Sequence, residues 1–402
     1  MFARLAAGSR PNANDPMFIA ALAVLMTFGP MAIDMYLPAL TSIAGVFHAT
    51  QDQVQWSLSA FFLGFGIGQI VWGALSDWLG RRIPVMVGIA LYGIGCVGCS
   101  LAPDIAHLAV WRFVQALGAC AGPVLARAMV RDAFGRDRAA SVLSLMMLVM
   151  GIAPMVAPLV GGQILIYANW RTIFWVQAAF GIVALLGVMS LPETLARGER
   201  RELHIGHMAQ AYLRLLTSRQ YLGYALSSAM ILGAMFAYIS GSPFVYIEYF
   251  KVRPENYGFL FGVNIVAMII VNTLNSQLVM RFGTDRMMRI GCVMSAVFGI
   301  ALLAVAMTGF GGLFGIAATL FLFLGMNGMV GANGMAGAMS SFPYIAGSAS
   351  ALAGMLQFAS GALAGSAVGA LANGTPIPMA AVICGTSIAG AALNIALVRR
   401  AA

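Results

Sequence analysis

Charge is what this chain most lacks. Only 9% of its 402 residues are Asp, Glu, Lys or Arg, against 61% hydrophobic residues and a mean hydropathy of +0.89. A water-facing surface takes about 25% charged residues, so the composition excludes a soluble enzyme, a nucleic-acid-binding module and a disordered chain. Lysine is almost absent: Lys251 is one residue among 22 basic ones, the rest being arginine. The 4 histidines (His48, His107, His204, His207) are scattered, which leaves no metal cluster and argues against a membrane enzyme. No Gly-x-x-x-x-Gly-Lys-Ser/Thr loop exists to cradle a nucleotide phosphate, so this chain holds no ATP-driven motor. The 5 cysteines (Cys96, Cys99, Cys120, Cys292, Cys384) lie inside apolar runs and follow no disulfide pattern. Cys96 and Cys99 have CxxC spacing without further ligands, and both read as small buried hydrophobes. What remains is an all-α integral membrane protein whose main solvent is lipid.

Apolar runs fill the chain. A spanning helix takes about 20 residues, and twelve such runs stand between polar breaks, at 17–40, 53–75, 83–102, 106–130, 139–163, 171–191, 221–246, 256–281, 288–308, 311–337, 346–371 and 376–398. They are too long and too evenly apolar for barrel strands. An even count puts both termini on one side. If that side is the cytosol, it holds 18 of the 22 basic residues, the opposite side holds Arg171, Lys251 and Arg253, and Arg112 falls inside a span. Such a split follows the positive-inside rule and predicts cytoplasmic termini.

The longest polar stretch, 192–220, contains Arg197, Glu199, Arg200, Arg201, Glu202, His204 and His207. It reads as a cytoplasmic linker with a short surface helix around 207–217, dividing an N-terminal half (1–191) from a C-terminal half (221–402). The halves echo each other. The loop after span 2 reads Gly73-Ala-Leu-Ser-Asp77-Trp-Leu-Gly80-Arg81-Arg82; the loop after span 8 reads Arg281-Phe-Gly283-Thr-Asp285-Arg286. Two pseudo-symmetric six-helix halves with a site between them describe one class of secondary transporter.

Two ionisable residues lie deep in apolar runs: Asp34 in span 1 and Arg112 in span 4. A charge at bilayer depth costs about 2.5–3.5 kcal/mol even on the lenient insertion scale, so each is expected to face a cavity or a partner. A carboxylate out of water beside a guanidinium is suited to loading and releasing a proton; Arg112, at similar depth, is expected either to be the counter-charge of Asp34 or only to hold helix packing. In the hairpin, Gly73 permits close approach. Asp77 caps span 3 or pairs with a basic residue at the end of span 4, such as Arg127 or Arg131, and Arg81 and Arg82 anchor the loop. This hairpin is expected to latch one conformational state. In span 5, Pro154 and Pro158 lie one turn apart, which fits either a plain kink or a working bend.

These strings resemble the major facilitator superfamily, and within it the bicyclomycin-resistance subfamily of drug:proton antiporters. The resemblance rests on Gly73–Arg82, on Asp34 in Met31-Ala-Ile-Asp34-Met-Tyr36-Leu-Pro38, on Arg112, Gln115 and Gly118 in span 4, and on Ala153-Pro154-Met-Val-Ala157-Pro158-Leu-Val-Gly161-Gly162 in span 5. Ala157 stands where the span 5 motif has a glycine. The second half adds matches around Ser242–Glu248 and Phe342–Ala349. The resemblance implies the major facilitator fold and export of small hydrophobic compounds coupled to proton influx. It also implies Asp34 and Arg112 as coupling residues, Pro154, Pro158, Gly161 and Gly162 as the antiporter motif, and a bacterial inner membrane. The transmembrane proton gradient would replace any cofactor. Small-molecule substrate, protons and lipid are the expected partners, nucleic acid is not one, and the chain is expected to be a monomer. Helical period groups Met31, Tyr36 and Leu37 with Asp34 on span 1; with Gln115, Met235, Tyr238, Asn264, Met355 and Phe358 they are expected to line an apolar cavity bounded by spans 1, 4, 5, 7, 8 and 11, those nearest the pseudo-two-fold axis. A second reading keeps the fold but exports a physiological solute, such as an amino acid or small peptide.

Overall fold

The computed structural model describes residues 16–196, 198, 200 and 205–398. The expected cytosolic charges Arg4, Arg10, Arg197, Arg201, Arg399 and Arg400 lie outside the described residues. Twelve helices are long and apolar enough to cross a membrane: Pro16–Phe47, Gln51–Leu79, Arg82–Ser100, Ile105–Ala133, Ser141–Tyr167, Trp170–Met189, Arg219–Tyr249, Pro254–Phe282, Thr284–Thr308, Gly312–Ser340, Pro343–Ala370 and Ile377–Leu397, called spans 1 to 12. Span 5 belongs to a longer helix that begins at Arg136. A linker helix, Ile205–Thr217, precedes span 7. The face on which span 1 begins and the linker lies is called the linker face.

Local chemistry marks the span ends. Thr50 and Gln53 cap each other's backbone at the start of span 2. Asp104, Asn169 and Ser218 accept backbone N–H groups at the starts of spans 4, 6 and 7. Gly80 (φ +94°) and Gly283 (φ +78°) turn the chain at equivalent places after spans 2 and 8, a backbone shape that costs glycine little.

Span 1 runs longer than expected, to Phe47, because Pro38 interrupts it without ending it. Its pieces are Pro16–Met26, Phe28–Asp34, a 3-10 turn Leu37–Ala39 and Leu40–Phe47. Pro38 sits in the first turn of the 3-10 segment, where a missing N–H costs little. At the break the Tyr36 N–H turns to the Ile33 carbonyl, so the Ala32 carbonyl loses its ordinary helical partner.

Glycines let the helices touch backbone to backbone. A side chain on Gly118 would strike Tyr92 and Gly88 of span 3, and one on Gly161 would strike the Met35 carbonyl of span 1. The halves meet along two seams on the side away from the linker face. In the first, between spans 2, 7 and 11, Ser59 Oγ donates to the Ala362 carbonyl (3.1 Å) and Gln55 Nε2 to the Ser240 carbonyl (3.3 Å). In the second, Gly162 of span 5 abuts Pro254 and Glu255 of span 8, and Gly258 abuts Leu159.

Candidate functional site

On the linker side of these seams lies a cavity of about 510 Å³. Span 1 contributes Met26, Gly29, Pro30, Ile33 and Asp34; span 7 contributes Met235, Phe236 and Tyr238; span 8 contributes Asn264, Met268 and Asn272; span 11 contributes Gln357 and Phe358. Spans 2 and 10 also line it, through Phe65 and Gln69 and through Leu324, Gly328 and Met335. The expected six-span wall therefore gains two helices. Gln69 was a detectable signal, being an amide in the apolar stretch after Ser59 of span 2.

Asp34 is the one carboxylate on this wall. It ends the helical piece Phe28–Asp34, so the chain turns away immediately after it. It is 5% exposed and has neither hydrogen bond nor ion pair among the described residues. The expected Arg112 counter-charge is not there. Arg112 is fully buried inside the first half. Its Nη1 donates to the Ala32 carbonyl (2.9 Å), freed by the break in span 1, and to Gln115 Oε1 (2.7 Å). Its guanidinium lies 4.4 Å from the Tyr36 ring centre and 4.3 Å from that of Phe61. A chain of amides extends the network: Gln115 Nε2 donates to Gln177 Oε1 (2.7 Å), and Gln177 Nε2 to the Met31 carbonyl (3.0 Å). Arg112 thus holds the backbone two residues before Asp34 rather than its carboxylate. Gln177, missed in the sequence, is the second clamp on span 1.

Of the expected substrate contacts, Met235, Tyr238, Asn264 and Phe358 line the cavity. Asn264 Nδ2 donates to the Tyr238 hydroxyl (2.8 Å), fixing both side chains. Met31, Tyr36, Leu37, Gln115 and Met355 do not line it. Tyr36 bonds Ser57 (2.9 Å) under Arg112, and Leu37 is buried in the 3-10 turn. Met355 packs its backbone on Gly66 at the span 2 seam. For Tyr36 and Leu37 the period of 3.6 failed because span 1 breaks after Asp34.

Pro154 lines the cavity, whereas Pro158 does not, and the helix Arg136–Tyr167 continues through both. Gly161 and Gly162 are the packing points on spans 1 and 8 described above.

The hairpin departs from expectation in its partners. Asp77 pairs with neither Arg127 nor Arg131. Its Oδ1 accepts from Arg81 Nη1 (2.6 Å), and Arg81 Nε reaches Asp132 of span 4 (2.7 Å). Burial would disfavour the Arg81 charge, but Asp132 and Asp77 outweigh it and hold the guanidinium above its ordinary pKa. Glu193, just after span 6, accepts the Arg81 and Arg82 backbone N–H groups (2.8 and 3.2 Å). Its carboxylate fills the place of a side chain at Gly80. All of these contacts stay within the first half and the start of the linker, and none reaches the second half. Gly73 has open space around it, so no close approach requires it. Arg127 lies one turn earlier on span 4 than Arg131, inside the span, and lines the cavity instead of the loop.

Comparison with known proteins follows the same lines. The sequence profile of the Major Facilitator Superfamily matches residues 20–365. An uncharacterized transporter of this type, YdgK of Bacillus subtilis, is 37% identical over 94% of this chain and 95% of its own length. A bicyclomycin resistance protein homolog of Haemophilus influenzae is 32% identical over 90% of this chain and 91% of its own. Among solved structures, a peptide transporter crystallised with sulfate superposes with a TM-score of 0.77 over 98% of this chain and 97% of its own, at 15% identity, which speaks to the fold alone. The chain belongs to the major facilitator superfamily: it is a multi-pass membrane transporter, not an enzyme.

Proposed function

We propose that this transporter exports small hydrophobic or weakly polar drugs, of the bicyclomycin or phenicol kind, in exchange for protons by alternating access. The observation that carries the reading is Asp34, a single carboxylate on the cavity wall with no hydrogen bond or ion pair among the described residues. A paired carboxylate would stay ionised through the cycle. An unpaired one in an apolar wall can change protonation as the cavity changes sides. The relative named for bicyclomycin resistance supports the substrate class.

The arginine split supports a cytosolic linker face and termini, in a bacterial inner membrane. The cavity would then face the cytosol with the outer seams shut, ready to take up drug. Arg112 and Gln177 would keep Asp34 at the break in span 1, and the Arg81 hairpin would reset the cytosolic closure. The transmembrane proton gradient is the energy source in place of a cofactor, and the working unit is the monomer in lipid.

The deciding experiment reconstitutes the protein into proteoliposomes and imposes a pH gradient. Chloramphenicol should move against its concentration gradient, and an uncoupler should stop it. Movement that ignores the uncoupler would end the proton-coupled reading.

A further inference from the structure

Arg127 is the second charged side chain on the cavity wall, and coupling through Asp34 makes no use of it. Its Nε donates to the Pro123 carbonyl one turn back (2.8 Å). Its Nη1 and Nη2 have no partner among the described residues. No carboxylate is within ion-pair distance of it there, in contrast to Arg81, which holds two. It differs also from Arg112, which is sealed inside the first half between the Tyr36 and Phe61 rings, bonded through Nη1 and off the cavity wall. Arg131, one turn on, adds to the positive field at Arg127. The cavity wall is mostly apolar, including Met147, Met150, Leu232 and Met335. In such a setting a charge acts more strongly than in water.

Depth gives this charge its place in the route. Arg127 stands six residues from the linker-face end of span 4 (Ile105–Ala133), whereas Asp34 stands 18 residues along span 1 (Pro16–Phe47). At about 1.5 Å per residue, a molecule rising from the linker face meets the guanidinium well before the carboxylate.

We propose that Arg127 selects substrates by charge: the cavity favours amphipathic organic monoanions, an apolar body ending in a carboxylate or similar oxygen pair, and disfavours cations. The free Nη groups form a fork that matches a carboxylate two bonds at a time. The methionines and aromatic rings of the cavity wall accommodate varied bodies. This proposal deepens the export reading and rests on it for its meaning in transport, but the binding preference is measurable without transport.

The test uses the purified full-length protein and three ligands with one apolar body: naphthylacetate, naphthylacetamide and naphthylethylammonium. Equilibrium dialysis at neutral pH needs no proton gradient, so the result stands apart from any failure of the coupling experiment. The wild type should bind the carboxylate about tenfold or more above the ammonium compound. Arg127→Gln should weaken the carboxylate about 10- to 100-fold, the range of a charge-assisted bond. The same variant should leave the amide nearly unchanged and tighten the ammonium compound. Arg127→Lys should restore part of the preference. Equal weakening of all three ligands in Arg127→Gln, or a wild type that does not discriminate, overturns the proposal.

Discussion

The two halves of the molecule use the same helical frame and fill its interior differently. In the first half the mid-span polar groups include charges: Asp34 on the cavity and Arg112 behind it, with Gln115 and Gln177 bonded in series. In the second half the buried polar groups at comparable depth are neutral. Asn264 is bonded to Tyr238, Ser242 to Tyr257 and Asn333 to Asn275, each at 2.8 Å. The hairpins repeat the contrast. Gly80 and Gly283 make the same left-handed turn, but the first hairpin binds Arg81 to two carboxylates, whereas the second bonds Asp285 to the Tyr224 hydroxyl. The repeat has kept the backbone turn and charged residues but, among the described residues, not the ion pairs. A buried charge costs several times more than a buried, bonded amide. The first half thus holds the groups suited to titration and switching, while the second shapes the cavity with groups that do not titrate near neutral pH.

The sharpest way to break this comparison is to neutralise the charge on the cavity. Asp34→Asn should lower gradient-driven export at least about 100-fold, in line with loss of an essential proton-transfer group, with its folding unchanged by size-exclusion chromatography. Asn264→Ala in the second half should lower export only a few-fold. Comparable losses in both variants would mean that the halves do not divide the work.

Arg112 comes next. Arg112→Met leaves the Ala32 carbonyl and Gln115 Oε1 without their donor, at about 1–3 kcal/mol for each buried acceptor left bare. Both thermal stability in detergent and transport should fall, and Arg112→Lys should recover part of each. A methionine variant with full stability and only a displaced pH profile would restore Arg112 as a direct counter-charge to Asp34.

The hairpins should differ by a smaller margin. Arg81→Gln breaks its ion pairs with Asp77 of span 2 and Asp132, the second of which ties the loop to span 4; it should slow turnover severalfold and raise the reactivity of a cysteine placed at Gly73. Asp285→Asn, which disturbs one hydrogen bond, should cost about 1 kcal/mol and leave turnover nearly intact. Equal effects on turnover would show that the two loops still act as a symmetric pair.

The smallest effects belong to the cavity wall of the second half. Tyr238→Phe removes one of the two acceptors of Asn264 Nδ2, leaving the Leu260 carbonyl, and Phe358→Leu trims an aromatic contact with Phe65 and Phe236. Each should change the ranking of exported compounds a few-fold, about 1 kcal/mol of shape or hydrogen bonding, without uncoupling protons. A drug-resistance panel on the two variants measures this. An unchanged ranking in both would remove these residues from the substrate contacts.

Sequence alone determined the twelve spans, because hydropathy is a local property summed over windows of about 20 residues. Their ends came within a few residues of those observed, except where span 1 passes Pro38. It also singled out Asp34, since a carboxylate in an apolar run stands out without any neighbour being known. Facing and partnership were decided by tertiary structure. The break after Asp34 turns Tyr36 and Leu37 into the first half, against the even helical period that placed them on the cavity. Arg112 found a freed carbonyl and two rings in place of the carboxylate. Asp77 found Arg81 four residues away, and Arg127, left without an acid, faces the cavity. Where a side chain points depends on where its helix bends and on which neighbour satisfies it first, and neither is a property of a single span.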